Sequence, residues 1–148
     1  MGTFKEFEDI QAWQTARELT RGVYKCSKTG PFARDFALRD QVRRAASSVM
    51  SNIAEGFERG GNAEFIQFLT VARGSAAEVQ SLLYVALDEE YISQDQFNKL
   101  KSLAISTRRL IAGLVQYLRR SRMKGSKFKN GNGRKANREP RTGNREQG

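Results

Sequence analysis

The chain contains no histidine and a single cysteine, Cys26. Lacking imidazole, it has no access to the usual general base, the usual nitrogen ligand for metals, or the Glu-x-x-His arrangement of di-iron bundles. One thiol cannot build an internal disulfide framework, and it fits a reducing cytoplasm. Proline is almost as scarce: the 2 prolines, Pro31 and Pro140, leave everything between them free of that helix breaker. No apolar run is long enough to span a bilayer, and the opening MGTFKEFEDI has no basic stretch followed by an apolar one. The expectation is a soluble, cytoplasmic protein with no membrane partner and no cofactor.

What is present is enough for one ordinary core, since 39% of 148 residues are hydrophobic. The net charge of +10 is unevenly placed. Through Leu118 there are 15 basic and 14 acidic residues, whereas Arg119 to Gly148 carries 11 basic and 2 acidic ones. The body is nearly neutral and the tail is a polycation. This divides the chain into residues 1–118, a folded body, and residues 119–148, a basic low-complexity tail. Past Ser121 the only apolar residues are Met123, Phe128 and Ala136, too few to offset ordering entropy, so the tail is expected to be disordered. Asn137-Arg138-Glu139 recurs there as Asn144-Arg145-Glu146.

Four segments of the body have helical periodicity. The first, about Glu8 to Ser27, sets Ile10, Trp13, Ala16, Leu19, Val23 and Tyr24 on one side, and Gly30-Pro31 is expected to end it. The second, about Phe36 to Glu58, stops at Gly60-Gly61. Asn62 is the natural N-cap of the third, about Ala63 to Glu89. Ser93 and Gln96 form a capping-box pattern that opens the fourth, which runs to about Leu118. Long helices with short connections pack side by side, so the predicted fold is an all-α, up-and-down four-helix bundle.

Two features point beyond a plain bundle. On the second segment Gln41, Arg44, Ser48, Asn52 and Glu55 line up through spacings of three and four beside the apolar face. A stripe of mixed sign is a poor anion site and a good self-complementary contact, so a register-fixing hydrogen-bond network is favoured over an RNA-contacting surface. Glu55 is expected to offset Arg44, and Glu78 to pair with Arg44 or Arg43. On the third segment Val71, Leu82 and Val85 lie away from Phe65 and Leu69, in the sector of Gly74, Ser75 and Glu78. A helix apolar around most of its circumference needs more cover than one bundle provides, and a second copy of the chain is the natural source.

These blocks carry a family resemblance. Phe7-Glu8-Asp9 with Trp13-Gln14 through Val23-Tyr24, Gln41-Val42-Arg43-Arg44 through Ser51-Asn52-Ile53-Ala54-Glu55-Gly56, and Phe68 through Ala72-Arg73-Gly74-Ser75 to Glu78 resemble the 23S ribosomal RNA intervening-sequence proteins, named for reading frames inside insertions in bacterial 23S rRNA genes. The likeness spans roughly Phe4 to Leu118. Met50 stands where the family often has proline, and Ala12 replaces a larger apolar residue. The resemblance implies a ring-like homo-oligomer, commonly a pentamer, with no established enzymatic activity. It also implies distant similarity to the accessory proteins of diversity-generating retroelements, basic bundles that work with a reverse transcriptase and nucleic acid.

Catalysis is not expected. Cys26 has Lys25 and Lys28 nearby, which could lower its pKa, but no base accompanies it. Glu55 and Glu58 read better as a solvated helix end than as a cation site. The tail has the electrostatic footprint of a nucleic-acid binder, with Phe128 as its one aromatic residue for stacking. Contacts to RNA or DNA are expected from Arg108, Arg109, Arg119, Arg120, Arg122, Lys124, Lys127 and Lys129. The alternative is an assembly module whose partner is a protein such as a polymerase, with the tail incidental.

Overall fold

The path into the first helix is held by one carboxylate. In the computed structural model, which describes residues 4–132, Asp9 Oδ2 accepts from the backbone N–H groups of Lys5 (3.0 Å) and Glu6 (3.1 Å) and closes a short 3-10 turn over Phe7–Asp9. Glu8 and Asp9 are spent on that turn, so helix α1 spans Gln11–Cys26 and begins later than its periodicity suggests. Its buried residues, Ala12, Ala16, Leu19 and Val23, recur at spacings of three and four.

Gly30-Pro31 does not end α1, which has already stopped at Cys26; it begins a further helix. Gly30 has φ of 70°, open to a residue without a side chain, and Pro31 occupies the first turn of α2, Gly30–Arg34. The ring of Phe32 in α2 stacks on Tyr91 at 5.3 Å, and the Tyr91 hydroxyl donates to Asp35 Oδ2 at 2.9 Å. Asp35 Oδ1 in turn accepts from Leu38 N and so caps α3, Phe36–Glu58.

The residue before helix α4, Asn62–Asp88, is Gly61, so Asn62 is its first helical residue rather than its N-cap. Between α3 and α4 the backbones approach closely at Gly56, where an added Cβ would lie 2.6 Å from the Cβ of Phe68. The α4–α5 connection turns through Glu90, at φ of 61°, with Tyr91 N donating to Ala86 O (2.8 Å) and Glu90 N to Leu87 O (2.9 Å). Both are the closing bonds of a Schellman turn. The capping box then forms as its spacing predicts: Gln96 N donates to Ser93 Oγ (3.1 Å) and Ser93 N to Gln96 Oε1 (2.8 Å).

Helix α5 spans Gln94–Asn132. The four long helices share one core, drawn from Leu19 and Val23 of α1, Val42 and Ala46 of α3, Val79 and Leu83 of α4, and Phe97, Leu100 and Ala104 of α5. The fold is thus an all-α bundle, and no strand occurs among the described residues.

Two units divide at Val115 and Gln116. The boundary expected after Leu118 falls inside α5, and residues 119–132, expected to be disordered, are helical. Extending a helix that already exists requires no nucleation, and Arg, Lys and Met are good helix formers. The expectations for residues 133–148 lie outside the described residues.

Candidate functional site

The polar stripe of α3 faces α4. Gln41 Nε2 donates to Glu78 Oε2 at 3.2 Å, and one helix turn or more further on the hydroxyls of Ser48 and Ser75 share a hydrogen bond of 3.0 Å. Asn52 Nδ2 donates to the Ser48 carbonyl (2.8 Å) and to its hydroxyl (3.0 Å), so the Ser48 hydroxyl joins side chains from both helices. At about 1 kcal/mol for each satisfied bond, this row matters more for register than for total stability.

Two expected pairs are replaced by others. Glu55 lies about three helical turns from Arg44, roughly 16 Å along the axis, so it takes Arg59 Nη2 at 3.0 Å instead. Arg44 is exposed and forms no ion pair among the described residues. Glu78 is occupied by Gln41, and Arg43 turns to the end of α1. There its Nε donates to Ser27 Oγ (2.9 Å), its Nη2 to the Ser27 carbonyl (3.1 Å), and its guanidinium lies 4.5 Å from the Tyr24 ring centroid. A helix C-terminus is a natural seat for a cation, and Ser27 is fully buried, so this staple is internal structure. Spacing along one helix gave no sign of it because the partners sit on α1.

Further along α4, Val71 is 54% and Val85 44% exposed, and Leu82 is half-buried. A Cβ added at Gly74 would meet nothing within 4 Å. Gly74 is therefore required neither by a turn nor by close packing within this chain, although a mid-helix glycine costs about 1 kcal/mol relative to alanine.

The expected nucleic-acid contacts separate into groups. Arg108 Nη1 donates to Gln80 Oε1 of α4 at 2.8 Å and its Nε is buried without a partner, so this guanidinium is engaged between α4 and α5. Arg109 is exposed. Arg119 and Arg120, in the second unit, are exposed, and Arg122, Lys124, Lys127 and Lys129 follow on the same helix.

Burial decides the chemistry of Cys26. Its thiol is pushed up to about 11, because the loss of solvent outweighs the opposing effects of the backbone and of Arg43. The lowering expected from Lys25 and Lys28 does not occur: both ammonium groups are exposed, where water screens them. The thiol instead points to the Val23 carbonyl at 3.4 Å. Among the described residues no three His, Cys, Asp or Glu side chains are grouped to hold a metal ion, and no helix is long and apolar enough to cross a membrane.

No curated protein matches this chain. Among solved structures it is similar to a protein of unknown function from the S23 ribosomal protein family of Bacteroides thetaiotaomicron VPI-5482, with a TM-score of 0.65 and 22% identity over 71% of this chain and 95% of that one. That likeness is one of fold. The family model described as 23S rRNA-intervening sequence protein matches residues 8–113, which takes in α1 to α4 and the first part of α5. The chain belongs to the 23S rRNA-intervening sequence protein family.

Proposed function

We propose that this protein is a non-enzymatic bundle subunit that assembles with copies of itself into a ring, commonly of five, and binds RNA or DNA through its basic C-terminal region. The observation that carries the reading is the segregation of charge: 11 basic residues against 2 acidic ones from Arg119 onward, beside a nearly neutral body. Cations concentrated in one segment neutralise phosphates and release counterions, so the binding is salt-sensitive and largely indifferent to sequence. Self-assembly is supported by the exposed Val71 and Val85 and the open Gly74 on α4.

The test is a salt titration of RNA and DNA binding with the full chain and with a variant in which Arg119, Arg120, Arg122, Lys124, Lys127 and Lys129 are changed to glutamine. Affinity and salt dependence are expected to fall together in the variant. Unchanged affinity would sink the C-terminal reading.

The same α4 face supports a second reading, an assembly module for a protein partner such as a polymerase, with the basic segment incidental. Under that reading the charge variant still captures its partner, and Val71→Asp or Val85→Asp abolishes capture.

A further inference from the structure

Beside α1 runs an open groove of about 850 Å³, walled on one side by α1 and on the other by the first turns of α5. Arg21 and Lys25 follow one another on α1, Lys28 stands in the turn just past its end, and Lys99 stands on the α5 wall. Glu18 is the one carboxylate lining it. In a body whose charges nearly cancel, four cations against one anion at a single groove is a local concentration rather than a reflection of composition.

Tyr24 also lines the groove and is 40% exposed. The Arg43 guanidinium over its ring is itself fixed by two hydrogen bonds to Ser27, so the tyrosine is held on a rigid support. An aromatic ring set among cations is the combination that single-strand binders use: the cations track the phosphates and the ring stacks a base. The spacing of four within α1 places the Cβ atoms of Arg21 and Lys25 about 5–6 Å apart, within reach of successive phosphates, and Lys28 follows in the turn after the helix.

We infer that the α1–α5 groove is a binding site for single-stranded nucleic acid, with Arg21, Lys25, Lys28 and Lys99 on the phosphates and Tyr24 stacking a base. This rests on the reading that the chain binds nucleic acid, and adds a contact separate from the basic C-terminal segment. It supplies the aromatic platform that the segment after Arg119 almost lacks, where Phe128 is the one aromatic residue.

Fluorescence anisotropy of a labelled 20-nucleotide single strand and of the matching duplex tests it, using the full chain and its variants. Lys25→Glu with Lys28→Glu is expected to weaken single-strand binding by about tenfold or more and to flatten its salt dependence. Tyr24→Ala is expected to weaken it by about tenfold with duplex affinity unchanged, whereas Tyr24→Phe retains binding because the ring remains. Arg73→Glu, an exposed charge reversal on α4, leaves it unchanged. Equal losses from Arg73→Glu and the groove pair would reduce the effect to bulk charge and overturn the site. Single-strand binding that survives every groove change but is lost when the C-terminal cations are neutralised overturns the groove and leaves the proposed function standing. If neither nucleic acid binds in low salt, both readings fall. If poly-glutamate competes as well as the strand and Tyr24→Ala has no effect, the groove is a seat for acidic polypeptide and the inference is overturned.

Discussion

Glu90 is the only non-glycine residue at positive φ among the described residues, and it sits where a helix C-terminus most often carries glycine. Its Cβ is crowded in that conformation, so Glu90→Gly is expected to raise the stability of the bundle by about 0.5–1 kcal/mol, measured as an increase in the urea midpoint at constant slope. Gly56 behaves in the opposite way. Because a Cβ there would press on Phe68 and Phe65, Gly56→Ala is expected to cost about 1–3 kcal/mol in the same measurement. Cys26 gives a prediction in pH. Its folded pKa lies near 11, above the ordinary thiol value of about 8.5, so the unfolded chain loses this proton first as pH rises. The contribution of the buried thiol is present in full below the ordinary value and lost as pH rises through about 11. Alkylation of Cys26 in the folded protein should correspondingly lag behind that of a free thiol throughout pH 8 to 10; equal rates would show that the thiol is not held in this environment.

At the scale of elements, the α4–α5 corner combines a Schellman turn with a capping box, and each satisfies backbone groups that a helix end leaves open. Ser93→Ala removes the acceptor for Gln96 N and is expected to cost about 1 kcal/mol. This corner was legible in the spacing of Ser93 and Gln96, since both partners belong to one local motif. The opposite corner was less so. Gly30-Pro31 reads equally as a stop and as a start, and what decides between them is that Phe32 finds a buried seat against Tyr91, a residue distant in sequence. The pairing of the α3 stripe has the same character. Periodicity places Gln41, Ser48 and Asn52 on one arc, but the choice of Glu78 and Ser75 as partners depends on how α4 is rotated against α3.

For the whole molecule, the question raised by α4 is what covers Val71, Val85 and Gly74. An added side chain at Gly74 meets nothing within the chain, so Gly74→Leu leaves the fold intact and tests assembly separately from stability. Its expected effect is a lower mass by light scattering than the unaltered protein; an unchanged mass would count against α4 as the contact between copies. Charge operates at this scale too. Neutralising the six C-terminal cations from Arg119 to Lys129 is expected to lower the slope of log affinity against log salt by up to about 4–5, because each phosphate contact contributes about 0.7–0.9.

The helical periods, the absence of proline inside them, the capping box at Ser93 and the crowding of cations beyond Leu118 were all readable from the sequence, because each depends on residues close together in the chain. It also carried the family likeness in blocks that are contiguous. It took the packed helices to show that Arg43 closes the end of α1, that Arg108 is drawn to Gln80, and that Tyr24 stands with four cations in one groove. These arrangements join groups from different helices. Their geometry follows from the rotation and spacing of packed helices, which is a property of the assembled core and of no single segment.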